Sequence, residues 1–277
     1  MKSAVPIELD AARRALASAG ERAAELVASI PDTTAPVPGL DWTVGQAAAH
    51  LVVVLSAFTG AARGVSQWGP LIPDSVTGRG RVAAVNAASI DLIAHDDAAY
   101  LAGQLGEAQA QFLAATERLP ADHALPMPWY GDDATLPLDA ATALLVGEQL
   151  VHGRDIAGAL GRSWPIDAGP ARLVVAAVTA MLPGYVDADE AASLRAIYEI
   201  RIRGGPRFFV SVAGREASVD ATVAGPVDCR ISADPVAFVL VGYGRTGLWP
   251  AISSGKLLAW GRRPWLGFRF SRLFQNP

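Results

Sequence analysis

Two of the chain's four histidines, His50 and His152, interrupt strongly apolar stretches, AAAHLVVVL and LLVGEQLVHGRDIAGAL. An imidazole in such surroundings needs polar partners, because a buried ring nitrogen without one costs free energy. Glu148 stands four residues before His152. On a helix these two side chains lie about 40° apart around the axis and project from one face. Asp155 falls on the same face, about 20° from Glu148 on the other side. Leu144, Leu145 and Val151 flank this stripe, so Glu148 is a carboxylate facing a core, which is expensive unless it is paired or bound to a metal. A Glu/His pair on one helix with His50 from a facing helix gives two nitrogens and one oxygen. That set suits zinc, with at least one position left for water or substrate. The competing reading is a hydrogen-bonded Glu148/His152 pair beside a separately satisfied core His50. Asp155 then either orients His152 or pairs with Arg154 or Arg162.

The remaining nucleophile inventory is short. No helix of the His-Glu-x-x-His type is present, which removes the common metalloprotease arrangement. Cys229 is the only cysteine, so an intramolecular disulfide and a Cys-rich zinc module are excluded. It falls in a predicted strand and reads as a small buried hydrophobe. A thiol nucleophile, if the chemistry uses one, has to come from outside the chain.

The elements that must position these residues follow from hydrophobic spacing. Leu9, Ala12, Leu16, Ala19, Ala23, Leu26 and Val27 keep a helical period over 8–30, and Pro31 stops the run. Thr43 and Gln46 form a capping box with Trp42 as the staple residue before it, predicting a second helix from Val44 to about Gly64. Residues 65–82 are a Gly/Pro loop. A third helical pattern covers about 83–118, with a break near His95 or Gly103, and Pro120 closes it. After an irregular Pro- and Gly-containing connection, Asp139 is the expected N-cap of a fourth helix that runs to Leu160, with Gly161 at the C′ position. Four long helices describe a bundle. A further apolar helix over 170–182 leads to Pro183-Gly184, and from about 194 the period changes to two. Strands are expected near 194–203, 208–212, 217–223 and 228–232, then a short helix at 235–242 and a helix or turn at 247–258. At 277 residues the chain is comfortable for two domains: 1–165 a helical bundle, 166–190 a connecting helix and linker, and 191–277 a small α+β domain.

These segments resemble a known family. Asp41-Trp-Thr-Val-Gly-Gln-Ala-Ala-Ala-His50-Leu is similar to the Trp-Thr-Val…His-Leu opening of the second helix in DinB-like bundles. Gly147-Glu148-Gln-Leu-Val-His152-Gly-Arg-Asp155-Ile-Ala-Gly-Ala-Leu-Gly161 resembles the Glu-x-x-x-His-Gly-x-Asp helix of mycothiol-dependent maleylpyruvate isomerases. The resemblance implies a DinB-like four-helix bundle whose zinc is held by His50, Glu148 and His152. Asp228-Cys-Arg-Ile-Ser-Ala-Asp, Gly242-Tyr-Gly-Arg245 and Ser254-Gly-Lys-Leu-Leu-Ala-Trp-Gly261 look like parts of a sterol-carrier-like α+β domain of the kind appended to such bundles. In the isomerase an arginine of that domain reaches the metal cleft, and Arg245 is the aligned position. The other reading of Arg245 is a solvated loop residue.

The implied function is a zinc enzyme that uses mycothiol, an external low-molecular-weight thiol. It would isomerise a maleylpyruvate-like substrate or transfer sulfur to an electrophile, with Asp155 and Arg245 as catalytic candidates. The alternatives are a thiol-independent metal hydrolase and a non-catalytic carrier of an apolar ligand. A formal net charge of −4 and a pI near 5.6 argue against nucleic acid. The apolar run LVVVLSAF is too short to span a bilayer and the N-terminal stretch lacks a signal-peptide pattern, so a cytoplasmic location is expected. The closing segment Ala259–Phe274 alternates aromatic and basic residues. It is read as a final amphipathic helix whose aromatics cover the small domain, not as a binding patch.

Overall fold

The computed structural model describes residues 3–65, 80–93 and 95–274. The chain forms two compact units, Glu8–Pro165 and the residues from Ile166 onward, and the segment before Glu8 joins the second. Ser3 anchors it there, its hydroxyl donating to the Ala176 carbonyl at 2.8 Å and meeting Thr179 Oγ1 at 2.9 Å.

The first unit is a helical bundle. Helix α1 is Leu9–Ala28, α2 Val44–Ala62, α3 Gly80–Ile93, α4 Ala98–Thr116 and α5 Leu138–Ala159. Helices α1 and α2 each pack against both α4 and α5, while α3 lies on α2. The break expected near His95 or Gly103 falls beside His95, where Asp97 caps a new start by accepting from the N–H groups of Ala99 and Tyr100. Gly103 sits inside α4 without a break. The Gly/Pro loop expected at 65–82 lies almost wholly outside the described residues.

Helix α2 begins as its sequence requires. The Thr43 side chain accepts from the Gln46 N–H, and the Gln46 side chain accepts from the Thr43 N–H. Gly45 allows the backbone of Thr33 to come close, since a Cβ there would lie 2.9 Å from the Thr33 carbonyl oxygen. Counted with its alanines and glycines, α2 is long and apolar enough to cross a membrane, although the run Leu51–Phe58 alone is not. Its most apolar window is 83% buried inside the protein, as a central bundle helix must be.

The connection into α5 contains a short antiparallel hairpin that the spacing of its prolines concealed, β1 (Ala124–Pro126) against β2 (Thr135–Pro137). Helix α5 then starts at Leu138, with Pro137 at the N-cap. Asp139 lies within the first turn rather than at the cap. The helix ends at Gly161 with φ +66°, the left-handed C′ conformation that glycine adopts cheaply. Next to His152, Gly153 gives space to the Trp164 ring, whose atoms would lie 2.4 Å from an added Cβ. Arg22 stacks on that ring, 4.3 Å from its centroid.

In the second unit, α6 (Ala168–Met181) packs on α8 (Pro235–Gly242). The stretch expected as a connector is thus part of this unit's core. After a short α7 (Ala188–Ala191) come β3 (Arg195–Ile202), β4 (Arg207–Ala213), β5 (Glu216–Asp220) and β6 (Cys229–Ala233). Then follow α8, α9 (Leu248–Ser253), β7 (Leu257–Trp260) and α10 (Leu266–Phe270). The sheet order is β5-β4-β3-β6-β7, with β3 and β6 parallel and the other pairs antiparallel. Ala196, Tyr198, Ile200 and Ile202 are buried, as their alternation requires. Glu199, on the opposite face, is also buried, because Nε atoms of Arg201, Arg207 and Arg230 lie 2.8, 2.7 and 3.0 Å from its carboxylate. Three guanidinium groups replace the water that the alternation assigns to this position.

Because Trp164 rests on the Cα of Gly153, Gly153→Ala should force the ring out of place and destabilise the bundle by about 1–3 kcal/mol. Urea denaturation of wild type and variant checks this, and an unchanged midpoint would mean that the ring moves aside freely.

Candidate metal centre

Helix α2 brings His50 and helix α5 brings Glu148, His152 and Asp155 to one place. His50 Nε2 is 3.2 Å from Glu148 Oε2, and His152 Nε2 is 3.4 Å from the same oxygen. One ligand atom from each of the three residues can be chosen so that all lie within 4.8 Å of one another. In a tetrahedron with bonds of about 2.1 Å the edges are roughly 3.4 Å. Two of the three separations therefore already match, and the third lies within 4.8 Å. The set fits a divalent ion such as zinc by its donor chemistry too, with two imidazole nitrogens and one carboxylate oxygen.

Burial differs among the three in a way that gives the centre an open side. The side chains of His50 and His152 are 6% and 8% exposed, whereas that of Glu148 is 22% exposed. Burial by itself raises the Glu148 pKa, but hydrogen bonds from His152 and His50 outweigh it and hold the carboxyl well below its usual range. Burial likewise opposes a charge on His152, and the carboxylates of Asp155 and Glu148 overcome it, so the net shift is upward.

Asp155 is 7% exposed, with Oδ2 3.1 Å from His152 Nδ1. This is an ion-pair distance, although the oxygen lies off the line of a well-formed hydrogen bond to that nitrogen. Arg162 donates to the Ser29 hydroxyl. The geometry thus brings the fourth residue of the stripe to the Nδ1 side of His152, with Nε2 turned to Glu148.

Trp42 also belongs to the site, although the sequence reading gave it only a capping role. Its ring centroid is 4.9 Å from that of His50 and 5.7 Å from that of His152, and the two imidazoles are 4.7 Å apart. The available signal was its place one residue before the cap of the helix that carries His50.

Arg245 and Cys229 belong to the second unit. His95 stacks on Tyr100 at 4.5 Å and accepts from the Asp97 N–H, outside the centre. Arg245 stands in the turn after α8, in the second unit, and its Nη1 donates to the Tyr243 carbonyl at 2.7 Å. Cys229 is fully buried in β6, and burial pushes its thiol up to about 11, which suits a packing role and not a nucleophile.

With this geometry in place, comparison with known proteins becomes informative. The model of the mycothiol maleylpyruvate isomerase N-terminal domain matches residues 16–157. The chain belongs to that family. The model of the SCP-2 sterol transfer family matches residues 182–261, so a sterol-carrier-like α+β domain follows the DinB-like bundle. Among solved structures, a mycothiol-dependent maleylpyruvate isomerase and a mutant of it each superpose with a TM-score of 0.53 at 11% identity. In each case 94% of this chain and 95% of the other are covered, which extends the likeness in fold over both domains. No curated protein matches the chain.

In the metal-free protein the Glu148/His152 pair should contribute fully between pH 4.5 and 6.5, the ordinary values of the two groups. The contribution is lost below that window as the depressed Glu148 takes up a proton, and above it as His152 passes its raised value and loses one. A metal ion competes for the same Nε2, so its affinity should rise with pH and binding should release about one proton near neutrality. Zinc titration calorimetry in buffers of different ionisation enthalpy measures this. Asp155→Ala should keep the metal but lose about 10–100-fold in affinity.

Proposed function

We propose that the chain is a zinc-dependent enzyme that uses mycothiol to isomerise a maleylpyruvate-like substrate. The observation that carries this reading is the convergence of the His50, Glu148 and His152 donor atoms within 4.8 Å in a bundle of this family. When bound, the metal lowers the pKa of a thiol, and the thiol supplies the nucleophile that adds to a double bond and leaves after rotation.

What the chain's own residues contribute follows from the geometry. His50 and His152 present Nε2 from two helices whose packing fixes their spacing, so little has to be reorganised on binding. Glu148 adds a negative charge between them and stands at the open side, where a thiol and a substrate enter. Asp155 places a carboxylate 3.1 Å from Nδ1 of His152, on the side of the ring away from Glu148. Trp42 covers the two rings and excludes water from that flank. Arg245 is assigned to substrate binding by the family resemblance.

S-transfer to an electrophile is the same reading with a different end, since the adduct is then kept instead of released. A hydrolase would activate water at the same centre and need no thiol. Turnover of maleylpyruvate with and without mycothiol separates them. The expected result is thiol-dependent formation of the trans isomer, with the thiol recovered unchanged. A stable thiol conjugate identifies the transferase, and equal rates without thiol identify the hydrolase. His152→Ala should abolish both metal binding and turnover, with the helical circular dichroism retained. Arg245→Ala should raise KM or lower kcat while metal content stays the same.

A further inference from the structure

The last 43 residues, 235–277, carry six basic residues and no acidic one, in a chain whose net charge is −4. The same stretch holds much of the protein's exposed aromatic surface: Trp249 is 68% exposed, Trp265 58% and Phe268 46%. The expected covering helix accounts for only half of this pattern. Through α10 and the turns beside it, Leu266, Phe270 and Leu273 point inward and are buried. Trp265, Phe268 and Arg272 follow at the complementary spacing and face outward. The Phe268 ring meets Trp249 of α9 at 5.4 Å. Leu248, Trp249, Phe268, Ser271 and Arg272 together line an open depression of about 440 Å³.

We infer that this face of the second unit docks on an anionic lipid bilayer surface. Aromatic side chains left in water beside arginines are what the bilayer interface accepts, where rings settle at the headgroup level and cations meet lipid phosphates. Charge complementarity selects the anionic surface. Arg269 is turned in to Glu190 and Arg263 to the Arg195 carbonyl, but Arg262, Arg272 and Lys256 are exposed. The contact is peripheral. The helix involved has five residues, and its inner side is committed to the core.

Co-sedimentation of the full chain with phosphatidylcholine vesicles and with mixed phosphatidylcholine/phosphatidylglycerol vesicles tests this. Binding is expected only to the mixed vesicles, and it should fall at high salt as surface charges are screened. Replacing both Trp249 and Phe268 by Ser should weaken partition by about tenfold or more, since their rings supply the buried apolar area. Arg272→Gln should weaken it by about fivefold. All three positions are on the surface, so the thermal midpoint should not move, and Arg272→Gln alone leaves the aromatic packing untouched. Equal binding to neutral vesicles, no binding to either, or full binding by the aromatic double variant would overturn the inference. So would a wild-type dimer in sedimentation velocity that dissociates in that variant, because the patch would then be a contact between copies.

Discussion

Holding a carboxylate inside an apolar four-helix bundle is the constraint on which the rest of the site depends. Glu148 sits on a helix that is buried over most of its length, and such a group folds in only if its charge is answered locally. The answer comes from His152 one turn along the same helix and from His50 across the bundle. Because one partner is on α2 and the other on α5, the ion pair and the packing of these two helices are a single arrangement. A shift of either helix along its axis would take His50 away from Glu148 and leave only His152 to answer its charge. The same requirement gives the place the donor set of a candidate metal centre, since three donors brought together to satisfy one another also lie within reach of one point.

Around this centre the neighbouring residues act by restricting freedom. Asp155 faces the outer nitrogen of His152, Trp42 lies against both imidazoles, and Gly153 lets Trp164 press on the backbone beside His152. Rings fixed from behind and from the side cannot rotate away from a ligand. The second unit solves a similar problem with a different result. Glu199 is as buried as the histidines, but three arginines surround it, so its carboxylate is saturated and offers nothing to a metal. Burial of an acid alone does not mark a site. The identity of its partners does.

Much of this was legible in the sequence. The four-residue spacing of Glu148 and His152 survives any detail of packing because helical geometry sets it, and the flanking leucines already said that this face is inside. The capping box at Thr43/Gln46 and the glycine at 161 are local signals that read correctly for the same reason. Local rules failed where a distant group intervened. The hairpin Ala124–Pro137 pairs segments that look irregular one at a time. The alternation that exposes Glu199 could not foresee three arginines from three strands.

The sequence by itself determined which residues have the chemistry and which of them share a helix face, because side-chain type and a fixed rise per residue are properties of the chain. Only the tertiary structure decided that His50 comes within 3.2 Å of Glu148, across 98 positions of sequence. It alone decided that Trp42 turns from a capping position to the histidine rings, and that Trp265 and Phe268 face water while Leu266 and Phe270 do not. These are distances and directions between elements. They are set by how whole helices and strands pack, and no spacing along the chain encodes them.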